Sequence, residues 1–284
     1  MKWLVIDSLE KHWERARIEA SIEGDQTVKI TTTNTAALSL DFGPGGAPLS
    51  MTNKARIVID NQTISAPAPQ SDRSWKVHLR KTGTRWAIAS SATLPGLHKT
   101  HTLQGPIDHA FMDSFLIVKP SGSPSHVETA KWVESEQGRA IREWRKQFRG
   151  EPQVTDDFNV TEAQIASSNL ILWGDPGSNK ILGRIAGQLP IQWSAEGIRV
   201  GSKTYPKSHA VALIFPNPLN PTKYVVINSG FTYREYDYLN NARQTPKLPD
   251  WAIIDTSVPP GPRYPGKIAA AGFFNEDWQL GADK

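Results

Sequence analysis

Three of the seven histidines, His98, His101 and His109, fall in one short stretch that also carries Asp108 and Asp113. The chain has no cysteine, which excludes disulfides, thiolate zinc sites and cysteine nucleophiles. Imidazole and carboxylate are the strong metal ligands left. His98, His101, His109 and Asp113 therefore make a candidate site for a divalent cation, calcium or zinc. If residues 107–114 form a helical turn, His109 and Asp113 stand at i and i+4 on one face, placed to share an ion or a proton. His109, Asp113 and Asp108 are then candidate catalytic groups, a base with its orienter activating water for ester or lactone hydrolysis. The structural alternative has the histidines lining a polar linker and the aspartates capping a short helix or accepting loop amides.

Two other segments could hold a ligand. Gly174-Asp-Pro-Gly-Ser-Asn179 follows an expected strand, 169–173, and opens an expected helix, 178–189. Free amides there would point out of the carboxyl edge of a sheet, which makes Gly174, Asp175, Gly177, Ser178 and Asn179 candidate ligand contacts. Ser178 or Asn179 could equally cap the helix, and Asp175 would oppose a phosphate unless it faced away. Behind Ser229-Gly230, the aromatic residues Tyr233 and Tyr236 alternate with charged ones and are candidates for holding a sugar or an aromatic ester. In a chain with ten tryptophans, packing is the competing role.

The elements that must position these residues change character along the chain. Residues 16–23 alternate apolar and charged, as a half-buried strand does, and the pattern recurs at 27–42, 55–59 and 75–79, with 86–89 returning as a hairpin strand. Turn chemistry separates them, which predicts an immunoglobulin-like β-sandwich over 1–95. After a connecting segment, 96–114, comes an apolar strand at 115–118 and a Ser, Gly and Pro loop. A helix is expected at 128–148, with acids early and bases late. Strands at 169–173, 211–215, 224–228 and 251–255, with helices at 178–189 and 233–243, predict an α/β domain over 115–284 with a mostly parallel sheet.

Composition narrows the functional classes. The 284 residues carry a net charge of +4, but bases and acids are interleaved instead of forming a one-sign stripe, which disfavours nucleic acid as a partner. The longest apolar run, near residues 210–216, falls far short of the roughly 20 residues of a bilayer span. No export signal is visible at the start, so a soluble, cytoplasmic protein is the default expectation. An opening directly on an apolar strand suggests a piece of something longer. Gly-x-Ser-x-Gly, the P-loop, the dinucleotide fingerprint, His-Glu-x-x-His and the EF-hand loop are all absent.

Four segments carry a resemblance: His12-Trp-Glu-Arg-Ala-Arg17, Leu103-Gln-Gly-Pro-Ile-Asp-His-Ala-Phe-Met-Asp-Ser-Phe115, Leu172-Trp-Gly-Asp-Pro-Gly-Ser-Asn179, and Asn228-Ser-Gly-Phe-Thr-Tyr-Arg-Glu-Tyr-Asp-Tyr-Leu-Asn-Asn-Ala-Arg243. Together they resemble the C-terminal region of large bacterial prolyl-oligopeptidase-like α/β-hydrolases of esterase type. The resemblance implies a region beside the serine catalytic domain, with an upstream α/β-hydrolase domain as partner, and it transfers no triad residue. Two functions follow as expectations. One is a non-catalytic accessory or assembly module, with carbohydrate binding by Trp75 or Trp86 of the sandwich as a variant. The other is a stand-alone, divalent-metal-dependent hydrolase of small esters or lactones.

Overall fold

The computed structural model describes residues 2–194 and 196–281. It divides into two compact units, Met1–Thr100 and His101–Lys284.

The first unit is built from eight strands: β1 (Leu4–Leu9), β2 (Arg17–Glu23), β3 (Thr27–Thr33), β4 (Thr35–Phe42), β5 (Ala55–Ile59), β6 (Gln62–Ala66), β7 (Trp75–Thr82) and β8 (Arg85–Ala89). They form two four-stranded sheets, ordered β1-β4-β7-β8 and β2-β3-β5-β6. Alternation buries one face of each: Val28, Ile30, Ile57 and Ile59 from one sheet and Leu38, Leu40, Val77 and Leu79 from the other share a single core. The turn between β3 and β4 is one residue, Asn34, in the left-handed region at φ 51°. It lets a continuous β-prone run, 27–42, break and change sheets. Pairing is antiparallel except between β3 and β5.

The second unit runs β9 (Phe115–Lys119), α1 (Val127–Phe148), β10 (Gln153–Asp156), α2 (Glu162–Ser167), β11 (Asn169–Leu172), α3 (Lys180–Ile185), β12 (Ile191–Ser194), β13 (Gly197–Val200), β14 (Lys203–Pro206), β15 (His209–Asn217), β16 (Asn220–Ile227), β17 (Trp251–Asp255) and β18 (Lys267–Gly272). Seven strands form one sheet, β10-β9-β11-β16-β15-β17-β18, and β12-β13-β14 form a small antiparallel meander.

The second unit is not the expected α/β domain with a mostly parallel sheet. The described chain is mostly β, 39% strand against 19% helix. The large sheet is mixed: three of its pairings are parallel and three antiparallel. The continuous apolar run of β15 reads as a buried strand of either direction, and the link that follows decides it. Only Pro218 and Leu219 lie between β15 and β16, and a two-residue link can close only an antiparallel hairpin, since a parallel crossover takes a dozen residues or more. The expected helix at 233–243 is instead two short 3-10 turns, Glu235–Leu239 and Asn241–Arg243, broken by extended Asn240.

Candidate functional site

The parallel half of the large sheet dictates where a cleft opens. Strand β9 leads through α1 to β10 on one side, and β11, on the other side of β9, leads away through α3. Loops leaving adjacent strands in different directions part at the carboxyl edge, where open α/β sheets hold ligands. A cavity of about 250 Å³ lies there, walled by the end of β9, the 120–124 loop, the 174–178 turn and the first half of α1. Helix α1 presents the stripe Ala130, Val133, Glu134 and Gln137 to it, at i, i+3, i+4 and i+7. Lys119 ends β9 and Asp156 ends β10, so the in-register parallel pairing puts them side by side, with Nζ 3.1 Å from Oδ1. The Gln137 Nε2 atom is out of solvent and has no hydrogen-bond partner among the described residues. Leaving such a donor unmet costs about 1–3 kcal/mol. Among the described residues Glu134 has no ion-pair partner.

The 174–179 turn forms part of the wall, and its polar groups face inward on their own backbone. Asp175 Oδ1 accepts the amides of Gly177 (3.0 Å) and Ser178 (2.9 Å), while Oδ2 accepts that of His126 (2.9 Å) at the start of α1. This buried carboxylate thus sits where an external anion would have sat. Ser178 Oγ accepts the Asp175 amide, and Asn179 Oδ1 caps α3 through Ile181 and Leu182, each at 3.1 Å. Asn228, at the end of β16, clamps the turn by accepting from the Gly174 amide (2.7 Å) and donating to the Gly174 carbonyl (2.9 Å). Gly174 has φ 103° and its missing side chain leaves room for the Ser178 hydroxyl.

The His and Asp stretch is arranged differently from the expectation. A 3-10 turn, Ile107–Phe111, ends before Asp113, so His109 and Asp113 do not share a helical face. His109 Nδ1 lies 2.7 Å from the Tyr224 hydroxyl, whose oxygen accepts the Gly105 amide. Burial lowers the His109 pKa from its ordinary value and raises that of Tyr224. Asp108 turns to Thr232, accepting its amide (2.9 Å) and its hydroxyl, and burial pushes its carboxyl up to about 6 against those bonds. Asp113 is exposed and accepts from Lys223 Nζ at 2.6 Å; that bond and the Ser114 amide hold its pKa down. His98 is half-buried in the first unit, and His101 is exposed in the second. Among the described residues no three His, Asp or Glu side chains are grouped to hold a metal ion.

Tyr233 is buried against Phe231, with ring centroids 4.6 Å apart, while Tyr236 is exposed and flanked by the guanidinium groups of Arg263 (3.8 Å) and Arg243 (5.0 Å). Trp75 and Trp86 are core residues of the first unit, their indole N–H groups given to the Pro67 carbonyl and the Asp60 carboxylate, so neither offers a platform to a sugar.

A serine, a histidine and an aspartate do meet in the first unit. Ser39 Oγ donates to Asp7 Oδ2 (2.5 Å) and lies 2.6 Å from His78 Nδ1. The hydroxyl stands between acid and imidazole, whereas acyl transfer needs the imidazole between hydroxyl and acid. Ser39 is also buried.

The chain matches no known family model, curated protein or solved structure.

Lys119, Glu134, Gln137 and Asp156 escape sequence reading because each sits where a solvated face or strand end is expected. The one available signal is Gln137, a polar residue a helical turn from Val133 on a half-apolar stripe. None of the described helices is long and apolar enough to cross a membrane.

Proposed function

We propose that this chain is a non-catalytic accessory module that binds a small ligand in the carboxyl-edge cleft and serves an α/β-hydrolase domain of the esterase type its sequence resembles. One observation carries the reading. The cleft is lined by the exposed Glu134 carboxylate and by the Lys119–Asp156 ion pair, while four side chains with nucleophile or base chemistry, Ser39, His109, Asp108 and Asp175, are tied to structural partners. Ser39 gives its proton to Asp7, His109 is held at Tyr224, Asp108 at Thr232, and Asp175 at three amides. Groups so engaged hold geometry, and a binding site needs the capacity that the cleft has kept.

The test is a turnover assay of the purified chain on ester and lactone panels, with and without chelator and with added zinc or calcium, alongside a serine-directed fluorophosphonate probe. The expected result is no turnover above the buffer rate and no stoichiometric labelling. Chelator-sensitive hydrolysis, or clean labelling of one serine, overturns the reading.

A further inference from the structure

We infer that a second cleft, between the start of α1 and β12, takes a small ring compound bearing one carboxylate, the ring lying on Trp193 and the carboxylate meeting Lys207. This cleft shares no lining residue with the carboxyl-edge cleft, so its failure as a site would leave the proposed function untouched.

The cleft has a volume of about 670 Å³, inside the roughly 300–1,000 Å³ of sites for small organic molecules. It opens where the residues leading into α1, the turn after α3, strand β12 and the link between β14 and β15 come together. His126 is buried there and fixes the walls. Its Nε2 donates to the Ser194 carbonyl at 3.0 Å and its amide donates to Asp175, so the head of α1 is tied both to β12 and to the 174–178 turn. A site held in this way spends little on ordering when a ligand arrives.

Charge selects the acid. Lys207 lines the cleft half-buried, with no ion-pair partner among the described residues, and none of the described residues lining it is acidic. An ammonium partly withdrawn from water is stabilised by an anion at hydrogen-bond distance. One cation matches one negative charge, which favours a carboxylate over a phosphate group carrying about −1.5 to −2.

Shape selects the ring. Trp193 packs against the large core with part of its surface and lines the cleft with the rest. An indole offers a wide, flat apolar face, which suits an aromatic ring or the C–H face of a sugar. Gln192 also lines the cleft, and its Oε1 accepts from Arg199, which leaves Nε2 to donate to a ring substituent or to the carboxylate. A bare anion would leave the indole uncovered, and a neutral ring would leave Lys207 unpaired.

Titration calorimetry on the full chain with benzoate, benzamide, D-glucuronate, D-glucose and acetate tests the assignment. Benzoate or D-glucuronate should bind, with its neutral counterpart at least about tenfold weaker, and which acid binds tells an aromatic ring from a sugar ring. Lys207→Gln should bring the acid down to its neutral counterpart, whereas Lys203→Gln, the same loss of charge outside the cleft, should not. Gly187→Trp, at an exposed position where an added Cβ meets nothing within 4 Å, should abolish binding while leaving the fold intact. The proposal is overturned if acetate binds as tightly as either ring acid, if acid and neutral ring bind equally, or if the preference for the acid survives Lys207→Gln. Binding that survives Gly187→Trp, or no binding of either ring acid at about 10 mM, overturns it as well.

Discussion

The stretch around Asp108 and the cleft beneath α1 are both lined by polar and titratable side chains, and they differ in what those side chains are bonded to. Asp108, His109 and Asp113 each have a partner from another part of the chain, Thr232, Tyr224 and Lys223. Glu134 and Gln137 have none within the described protein, although they share a helix with Glu136, Arg139 and Glu143, which are all engaged. The difference teaches that a density of metal-ligand residue types in a sequence marks a polar connection as readily as a site. Unfilled bonding capacity at a concave surface is the better sign, and it appears only once the fold has assigned partners.

The largest effect should come from breaking an engaged pair on α1. Arg234 binds Glu136 through both guanidinium nitrogens, at 2.6 and 3.0 Å, with both residues buried, and donates Nε to the Gly261 carbonyl. Arg234→Met leaves the Glu136 carboxylate buried and unpaired, which should cost about 3–5 kcal/mol in urea unfolding. Glu134→Gln, two positions from Glu136 on the same helix, should change stability by less than about 0.5 kcal/mol. Equal costs would erase the distinction between engaged and free groups.

A middle-sized effect should follow pH. The folded chain binds the Asp108 proton more tightly than the unfolded chain, because burial raises its pKa from 3.8 to about 6. Its contribution to stability is therefore fully present below about pH 4 and is lost as pH rises through about 6. Asp60 and Asp72 have lowered pKa values and act in the opposite sense, so wild type must be compared with Asp108→Asn, in which only this group is silenced. Wild type should lose on the order of 1–3 kcal/mol relative to the variant between about pH 4 and 7, read from denaturant unfolding at both values. A difference that does not change with pH would mean that Asp108 is as well solvated as an ordinary carboxyl.

Local elements were more legible than their assembly. Alternation at 16–23 located β2, where Ile18, Ala20 and Ile22 pack on the core, because period-two burial is written directly in residue type. The turn at Gly174 was legible as the start of a helix at a carboxyl edge, since Gly, Pro, Ser and Asn each have a local reason to be there. Strand order and direction were not, because β9, β11, β15 and the second half of β16 are apolar on both faces and carry no register signal. The 3-10 turns after Tyr233 escaped for another reason. Arg234 is held by Glu136 and by the Gly261 carbonyl, contacts 98 and 27 residues away, and such distant partners override local helical propensity.

The smallest effect bears most directly on the histidine stretch. Asp113 is 65% exposed and its bond to Lys223 is a surface ion pair, so Asp113→Asn should cost no more than about 1 kcal/mol. That value alone would not separate an idle surface carboxylate from a weak metal ligand, since an empty ligand position also costs little to remove. Adding zinc or calcium does separate them, because a ligand that binds only the folded state raises its melting temperature by mass action. If Asp113 is held by Lys223 and His109 by Tyr224, neither is preorganised for an ion, and both ions should shift wild type and Asp113→Asn equally. If zinc or calcium instead raises the melting temperature of wild type and fails to do so in Asp113→Asn and His109→Ala, the two side chains are ligands of one ion. The contrast between an engaged stretch and a free cleft would then be reversed, because the histidine stretch would be the part of the molecule that holds bonding capacity in reserve.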